Sequence, residues 1–324
     1  MNNLKIFCDA RLPDNAAKLL REGVGPHELV FPATLAASVL GKSGLDPAFA
    51  QVDIAFGQPD LANIQLSTRL RWMHLTSASF TRYDTAEFRA LATARGLAVT
   101  NSSSVYAGPC AEHVFAFILA QARRLPSALQ SRCANDSPEW AKLRYACAPL
   151  CHQNVLILGF GAIAARLVEL LRPFEMRITA FRRQARGDEG IPIVTSAHLP
   201  EALANADHLV NILPQNADSA HFISAELLAR LKPGAILYNI GRGATVDQEA
   251  LLAALRGGHL GAAWLDVTEP EPLPDGHPLL TAPNCFITPH IAGGHSNESE
   301  TLVNHFLDNL RRFLDGAPLR DRVM

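Results

Sequence analysis

The chain has 324 residues, is 48% hydrophobic and 19% charged, and carries a formal net charge of −2. That length suggests about two domains, the composition excludes a disordered or fibrous protein, and the charge points to no nucleic-acid or anionic-membrane partner. No apolar stretch approaches the ~20 residues that span a bilayer, and the opening MNNLKIFCDA lacks the basic region and long apolar core of a signal peptide, so it is expected to be a first strand.

The first hundred residues alternate short apolar runs with helical patterns. Strands are expected at Leu4–Cys8, Asp53–Phe56, Trp72–Leu75 and Leu97–Thr100, with helices such as Asn15–Arg21 and Thr85–Ala94 between them. Asn101-Ser102-Ser103-Ser104 is a polar break. Ala107–Arg124 then reads as a long helix whose apolar character exceeds one stripe, as expected in a subunit or domain contact. Cys133–Pro149, punctuated by Pro138 and Pro149, is expected to be irregular. A second series follows, with strands at Val155–Leu158, Arg177–Phe181, Leu209–Ile212, Ala235–Ile240, Ala262–Leu265 and Cys285–Thr288. Its helices are expected at Ala162–Leu171, Leu199–Ala204, Ala225–Leu231 and Gln248–Arg256, the last capped by Asp247 and stopped by Gly257-Gly258. Asn297–Leu314 is an amphipathic helix. The two series predict an α/β protein of two doubly wound parallel-sheet domains. Cys8, Cys110, Cys133, Cys147, Cys151 and Cys285 show neither a disulfide framework nor a zinc spacing. Reduced thiols, no metal and a cytoplasmic location are therefore expected.

The Val155–Leu158 strand runs into Gly159-x-Gly161-x-x-Ala164 and then a helix, the context that a dinucleotide site requires. Gly159 permits the tight turn, Gly161 lets the backbone approach a pyrophosphate, and Ala164 allows close helix–strand packing. The N–H groups of Ala162 and Ile163 face the phosphates. After the next strand, Phe181 is followed by Arg182-Arg183-Gln184-Ala185-Arg186, with no carboxylate in that stretch. An acid there would bind the ribose hydroxyls of NAD, whereas guanidinium groups match a 2′-phosphate. A solvated basic turn is the competing reading. At this position NADP(H) is the expected cofactor, with NAD(H) possible.

Three further motifs each follow a short apolar run: Asn239-Ile240-Gly241-Arg242-Gly243, Asp266-Val267-Thr268-Glu269-Pro270-Glu271-Pro272 and Thr288-Pro289-His290. Loops after the strands of a parallel sheet open on one edge. The glycine turn, an arginine, a glutamate and a histidine are therefore expected at one cleft, a set suited to hydride transfer to a 2-oxo acid.

Taken together, NIGRGATVD (239–247), LDVTEPEPLP (265–274) and PNCFITPHIAGG (283–294), with GFGAIA ahead of them, resemble the D-2-hydroxyacid dehydrogenase family, in its glyoxylate/hydroxypyruvate reductase-like branch. The resemblance covers nearly the whole chain. It implies a Rossmann cofactor domain, residues 101–291, inserted into a flavodoxin-like substrate domain made of residues 1–100 and 292–324. It assigns Arg242 to the substrate carboxylate and keto oxygen, and His290 to general acid/base work. Glu271 becomes the carboxylate paired with His290, because the family places it five residues after the aspartate of the Asp-Val pair, and that count from Asp266 passes over Glu269. Pro214, Ile240, Gly241, Asp266 and Gly293 are assigned to the cofactor. Ala78 and Ser79 are expected to offer backbone N–H groups to the substrate carboxylate, although Ser79 stands where a glycine is common and Phe80 narrows the loop. Gln58 is a weaker candidate. The resemblance further implies a homodimer that acts on a small 2-oxo or 2-hydroxy acid. A cofactor-sensing, corepressor-like binding protein on the same fold is the alternative, and a formate-dehydrogenase-like activity fits less well because Glu271 stands where that branch carries glutamine.

Overall fold

In the computed structural model, which describes residues 3–32 and 45–324, the chain divides into a unit of Met1–Tyr106 with His295–Met324 and a unit of Ala107–Gly294. The first is built on β1 (Lys5–Cys8), β2 (Glu28–Val30), β3 (Ile54–Gly57), β4 (Trp72–Leu75) and β5 (Ala98–Thr100). They form a parallel sheet in the order β2-β1-β3-β4-β5, the flavodoxin-like order. β3 and β4 are buried along their whole length, which explains why they read as unbroken apolar runs rather than alternating ones. Helix Asp14–Gly23 and the C-terminal helix Glu298–Leu314 cover one face through Ala16, Leu20, Val303, Phe306 and Leu310. Phe306 stacks on Phe56 and Trp72 at centroid distances of 4.4 and 5.2 Å, so the last helix is part of the first unit's core. Phe49, Ile64, Tyr83 and Phe88 fill the opposite face.

The second unit carries β6 (Asn154–Leu158), β7 (Arg177–Phe181), β8 (Ile193–Val194), β9 (His208–Asn211), β10 (Ile236–Asn239), β11 (Ala262–Leu265) and β12 (Cys285–Ile287). Their order is β12-β11-β10-β9-β6-β7-β8, with every pair parallel. Counted from β6 this is the Rossmann order with one added edge strand. The order reverses between β6 and β9, and ligands of such sheets bind outside the strand ends at that point. The second core lies among Leu156, Leu158, Leu209, Leu237, Leu251 and Leu265. Asp247 caps helix Gln248–Arg256 by accepting from the Ala250 N–H at 3.0 Å.

The structure departs from the sequence reading in several places, an unexpected short helix at Leu125–Gln130 among them. β2 and β8 went unpredicted because both are short edge strands with little apolar pattern. The stretch expected to be irregular at 133–149 contains a helix, Pro138–Ala146, started by Ser137 accepting from the Trp140 N–H at 3.1 Å. None of its residues is buried, so it has no apolar stripe from which to read a period. The helix expected at Ala107–Arg124 begins inside the polar break, at Ser103, and ends at Ala122. Its first turn is held by Asp321, which accepts from the Ser104 N–H at 2.9 Å, a cap supplied from 217 residues away. Among the described residues no helix is long and apolar enough to cross a membrane.

Two buried histidines make stability depend on pH. His74 shares a 2.7 Å hydrogen bond with the Thr100 hydroxyl, and burial, helped by the field of His305, lowers its pKa to about 3. His208 lies between the Tyr238 hydroxyl and Gln153 Oε1 at 3.0 and 2.6 Å, and burial lowers it to about 4. Both are neutral in the folded chain, whereas the unfolded chain takes up these protons below its ordinary value of 6.5. The unfolded state then binds more protons, so stability falls as pH drops from 6.5 toward 4. Thermal unfolding followed across that window is expected to show a falling midpoint, and a flat profile would contradict it.

Candidate active site

The turn after β6 has the form a dinucleotide needs. Gly159 adopts φ +91°, a conformation that side chains rarely accept. Gly161 starts helix Ala162–Leu171 without a side-chain cap, and a Cβ placed on it would meet nothing within 4 Å. The first-turn N–H groups, those of Ala162 and Ile163 included, have no intrahelical acceptor. Ala164 is fully buried against the sheet. These residues fit a pyrophosphate.

Beyond β7 the basic run is not free of acids. Arg182 Nη1 donates to Glu189 Oε1 at 2.9 Å, and Arg183 pairs with Asp218. Both carboxylates lie outside the stretch read as acid-free, and folding brings them in.

β10 ends in a buried polar network that sets Arg242. Asn211 Nδ2 donates to Asn239 Oδ1 at 2.9 Å and to Thr245 Oγ1 at 2.7 Å, and Thr245 Oγ1 donates to the Arg242 carbonyl at 2.6 Å. The Arg242 guanidinium turns back to the Gly241 carbonyl at 2.6 Å. A Cβ on Gly243 would lie 2.0 Å from the Thr268 carbonyl, so only glycine allows the two backbones to approach. Burial lowers the Arg242 pKa, and the negative field of Glu271 opposes that shift. Asn211 and Thr245 were not singled out from the sequence, although Thr245 lies within the same motif. Ile240 is buried, and the Pro214 carbonyl accepts from Ser219 Oγ at 2.5 Å.

His290 and Glu271 meet directly, with Nδ1 and Oε1 2.5 Å apart. The Glu269 backbone is held by Gln248: its N–H donates to Gln248 Oε1 at 3.1 Å and its carbonyl accepts from Gln248 Nε2. His290 adopts φ +52°, and its N–H donates to the carbonyls of Asp266 and Thr288 at 2.9 and 3.0 Å. The Asp266 carboxylate, 2% exposed, holds the same segment. Its Oδ1 accepts from Thr288 Oγ1 at 2.6 Å and from the Ile291 N–H at 3.0 Å, and its Oδ2 accepts from the Ala292 N–H at 2.9 Å. Gly293 lies in the turn that this clasp closes. His113, which the sequence reading passed over, stands with Nε2 3.3 Å from Thr288 Oγ1 and 3.5 Å from Asp266 Oδ1. Burial lowers its pKa and Asp266 opposes the shift. A histidine inside a largely apolar helix was the available signal.

In the first unit, the loop after β4 has its carbonyls occupied. Ser77 O accepts from the Ser102 N–H at 3.0 Å, Ala78 O from Asn101 Nδ2 at 2.6 Å, and Ser79 O from Ser77 Oγ at 2.5 Å. The N–H groups of Ser77, Ala78 and Ser79 make no hydrogen bond among the described residues. Ser79 does not adopt a left-handed φ, so serine replaces glycine without strain. Gln58 supports the loop by donating from Nε2 to Ser77 Oγ at 2.9 Å, and its own N–H donates to Asp9 Oδ1 at 2.7 Å. Burial pushes the Asp9 carboxyl up to about 6.

Asp266→Ala would strip an acceptor from the Thr288 hydroxyl and the Ile291 and Ala292 N–H groups, at about 1–3 kcal/mol for each donor left buried. The expected result is a lower unfolding midpoint together with faster amide exchange at Ile291 and Ala292. Unchanged exchange at those amides would show that Asp266 does not hold the segment.

The model of the family described as "D-isomer specific 2-hydroxyacid dehydrogenase, NAD binding domain" matches residues 115–292. The chain is 34% identical over 263 residues to glyoxylate/hydroxypyruvate reductase B of Pectobacterium atrosepticum, covering 80% of this chain and 81% of that protein. It is 32% identical over 227 residues to the human glyoxylate reductase/hydroxypyruvate reductase, covering 69% of each. Among solved structures it is similar to a D-isomer specific 2-hydroxyacid dehydrogenase family protein from Aeromonas salmonicida, with a TM-score of 0.78, 27% identity, and coverage of 100% of this chain and 99% of that one.

Proposed function

The chain belongs to the D-isomer specific 2-hydroxyacid dehydrogenase family, and from that premise we propose that it is an NADPH-preferring reductase of small 2-oxo acids, with glyoxylate and hydroxypyruvate the first substrates to test. Membership makes it an oxidoreductase with a nicotinamide cofactor. The choice of NADPH rests on Arg182 and Arg183, and the choice of substrates on the likeness to glyoxylate/hydroxypyruvate reductases.

The observation that carries the reading is the 2.5 Å contact of His290 Nδ1 with Glu271. With Nδ1 engaged, Nε2 is the nitrogen left to exchange a proton with the substrate oxygen. The nicotinamide, when bound, supplies the hydride. Glu271 orients the ring for that proton transfer. Arg242 offers a forked cation to the carboxylate and to the oxygen that gains charge. The free N–H groups of Ala78 and Ser79 are carboxylate ligands. Gly159, Gly161, Ala162 and Ile163 hold the pyrophosphate, and Pro214, Ile240, Gly241, Asp266 and Gly293 line the rest of the cofactor site. We further propose a homodimer with the helix Ser103–Ala122 in or near the contact. The two helices that follow it, Leu125–Gln130 and Pro138–Ala146, bury no residue, and Leu129 and Tyr145 are 83% and 79% exposed.

His290→Ala is expected to reduce kcat by about 10²–10⁴-fold, the usual worth of a positioned acid. Glu271→Gln is expected to lower kcat while Glu269→Gln leaves it unchanged. The reverse pattern would reassign the pair.

A panel of 2-oxo acids assayed with NADPH and NADH tests the reaction itself. Turnover with a higher kcat/KM for NADPH supports the proposal. Equal values would remove the NADPH preference, and binding without turnover of any 2-oxo acid would favour a sensing role.

Sedimentation at micromolar concentration is expected to give a species of about twice the 35.1 kDa chain mass. A species of single-chain mass alone would rule out the dimer.

A further inference from the structure

Resting on the NADP(H) reading above, we propose that Glu189 is a positioning residue for cofactor choice, which holds the loop after β7 closed and fixes Arg182 as the ligand of the 2′-phosphate. Three donors converge on one carboxylate. Glu189 Oε1 accepts from Arg182 Nη1 at 2.9 Å and from the Arg186 N–H at 2.7 Å, while Oε2 accepts from the Gly187 N–H at 2.9 Å. The Glu189 side chain is 3% exposed. Gly187 and Gly190 take φ +87° and +68°, which folds the loop back far enough for the carboxylate to reach its start. The Arg182 N–H donates to the Val194 carbonyl at 3.1 Å, so Arg182 is fixed by backbone and side chain alike.

The two leading arginines therefore differ in kind. Arg183 pairs with Asp218 in the open, at 73% and 71% side-chain exposure. Such a pair is screened and holds neither side chain firmly. Arg182 is held by one nitrogen, and its Nε and Nη2 have no partner among the described residues. A guanidinium presents donors in a rigid fork, so fixing one end leaves the other in a set geometry for phosphate oxygens. Because less freedom is lost on binding, a pre-set arginine contributes more than a loose one. The negative charge of Glu189 opposes a phosphate, but it is matched by Arg182 and two backbone N–H groups. Loss of the fixed fork is the larger effect.

Neither conservative replacement can reproduce the clasp. Glutamine has one acceptor oxygen and turns an NH₂ toward a donor. Aspartate is one methylene too short to reach all three donors.

Calorimetric titration with adenosine 2′,5′-bisphosphate and with 5′-AMP isolates the 2′-phosphate, the one group by which these probes differ. Wild type is expected to favour the bisphosphate. In Glu189→Gln and Glu189→Asp that preference is expected to fall about tenfold, the weight of one charge-assisted hydrogen bond, with faster exchange at the Arg186 and Gly187 amides. Circular dichroism checks that each variant is folded, and aspartate serves if glutamine does not fold. A preference that is unchanged or higher in these variants would overturn the proposal. Arg182→Ala separates the two layers of the argument. If it abolishes the preference while the Glu189 variants keep it, the role of Glu189 alone falls. If wild type shows no preference and Arg182→Ala changes nothing, the NADP(H) reading falls and takes this inference with it.

Discussion

A carboxylate withdrawn from water must be matched donor by donor, and Asp266 at the end of β11 sets the second unit's site by meeting that demand. Its acceptors hold one hydroxyl and two N–H groups of the segment after β12, and its own carbonyl takes the His290 N–H. No lysine or arginine pairs with it among the described residues; His113 at 3.5 Å is the nearest cationic candidate. The clasp explains how His290 keeps a left-handed φ, which costs a residue with a Cβ about 1–3 kcal/mol and persists only where the surroundings over-determine it. The buried Asp266 sets the backbone, the backbone sets the ring, and the ring meets Glu271.

The same logic governs Arg242. Its carbonyl is fixed by Thr245 and Asn239, which are fixed in turn by Asn211 on the neighbouring strand. A buried polar network of this kind is worth having only when each member is satisfied, because the low local dielectric strengthens made bonds and penalises unmade ones. The glycines flanking Arg242 serve two close approaches: Gly243 brings the loop within backbone contact of Thr268, and Gly241 brings it within backbone contact of Leu213. Two motifs separated in sequence are thus mechanically one object.

Much of this was legible in the chain because parallel strands buried on both faces give continuous apolar runs, and those runs located the strands that matter. The turn residues Gly159, Gly161, Arg242 and His290 then followed from their place after a strand. What stayed hidden was non-local. The Ser104 cap comes from Asp321, far along the chain. Glu189 and Asp218 reach the arginines only after the loops fold. β2 and β8 are too short for a period to register, and the helix Pro138–Ala146 buries nothing, so hydrophobic patterning had no information about it.

The loop after β4 shows how a departure from a familiar pattern can leave the backbone unstrained. Glycine is needed where φ is positive or backbones crowd, and Ser79 faces neither condition. Under the proposed reading, in which this loop receives the substrate carboxylate, its carbonyls must be turned away, since oxygens facing that carboxylate would repel it. Ser102, Asn101 and the Ser77 hydroxyl engage those three oxygens, and the N–H groups of the same residues are left without partners. Unpartnered backbone N–H groups are available to an anion irrespective of the side chains that carry them. The geometry of this loop therefore rests on the residues behind it, Gln58, Asn101 and Ser102, rather than on the identity of residue 79.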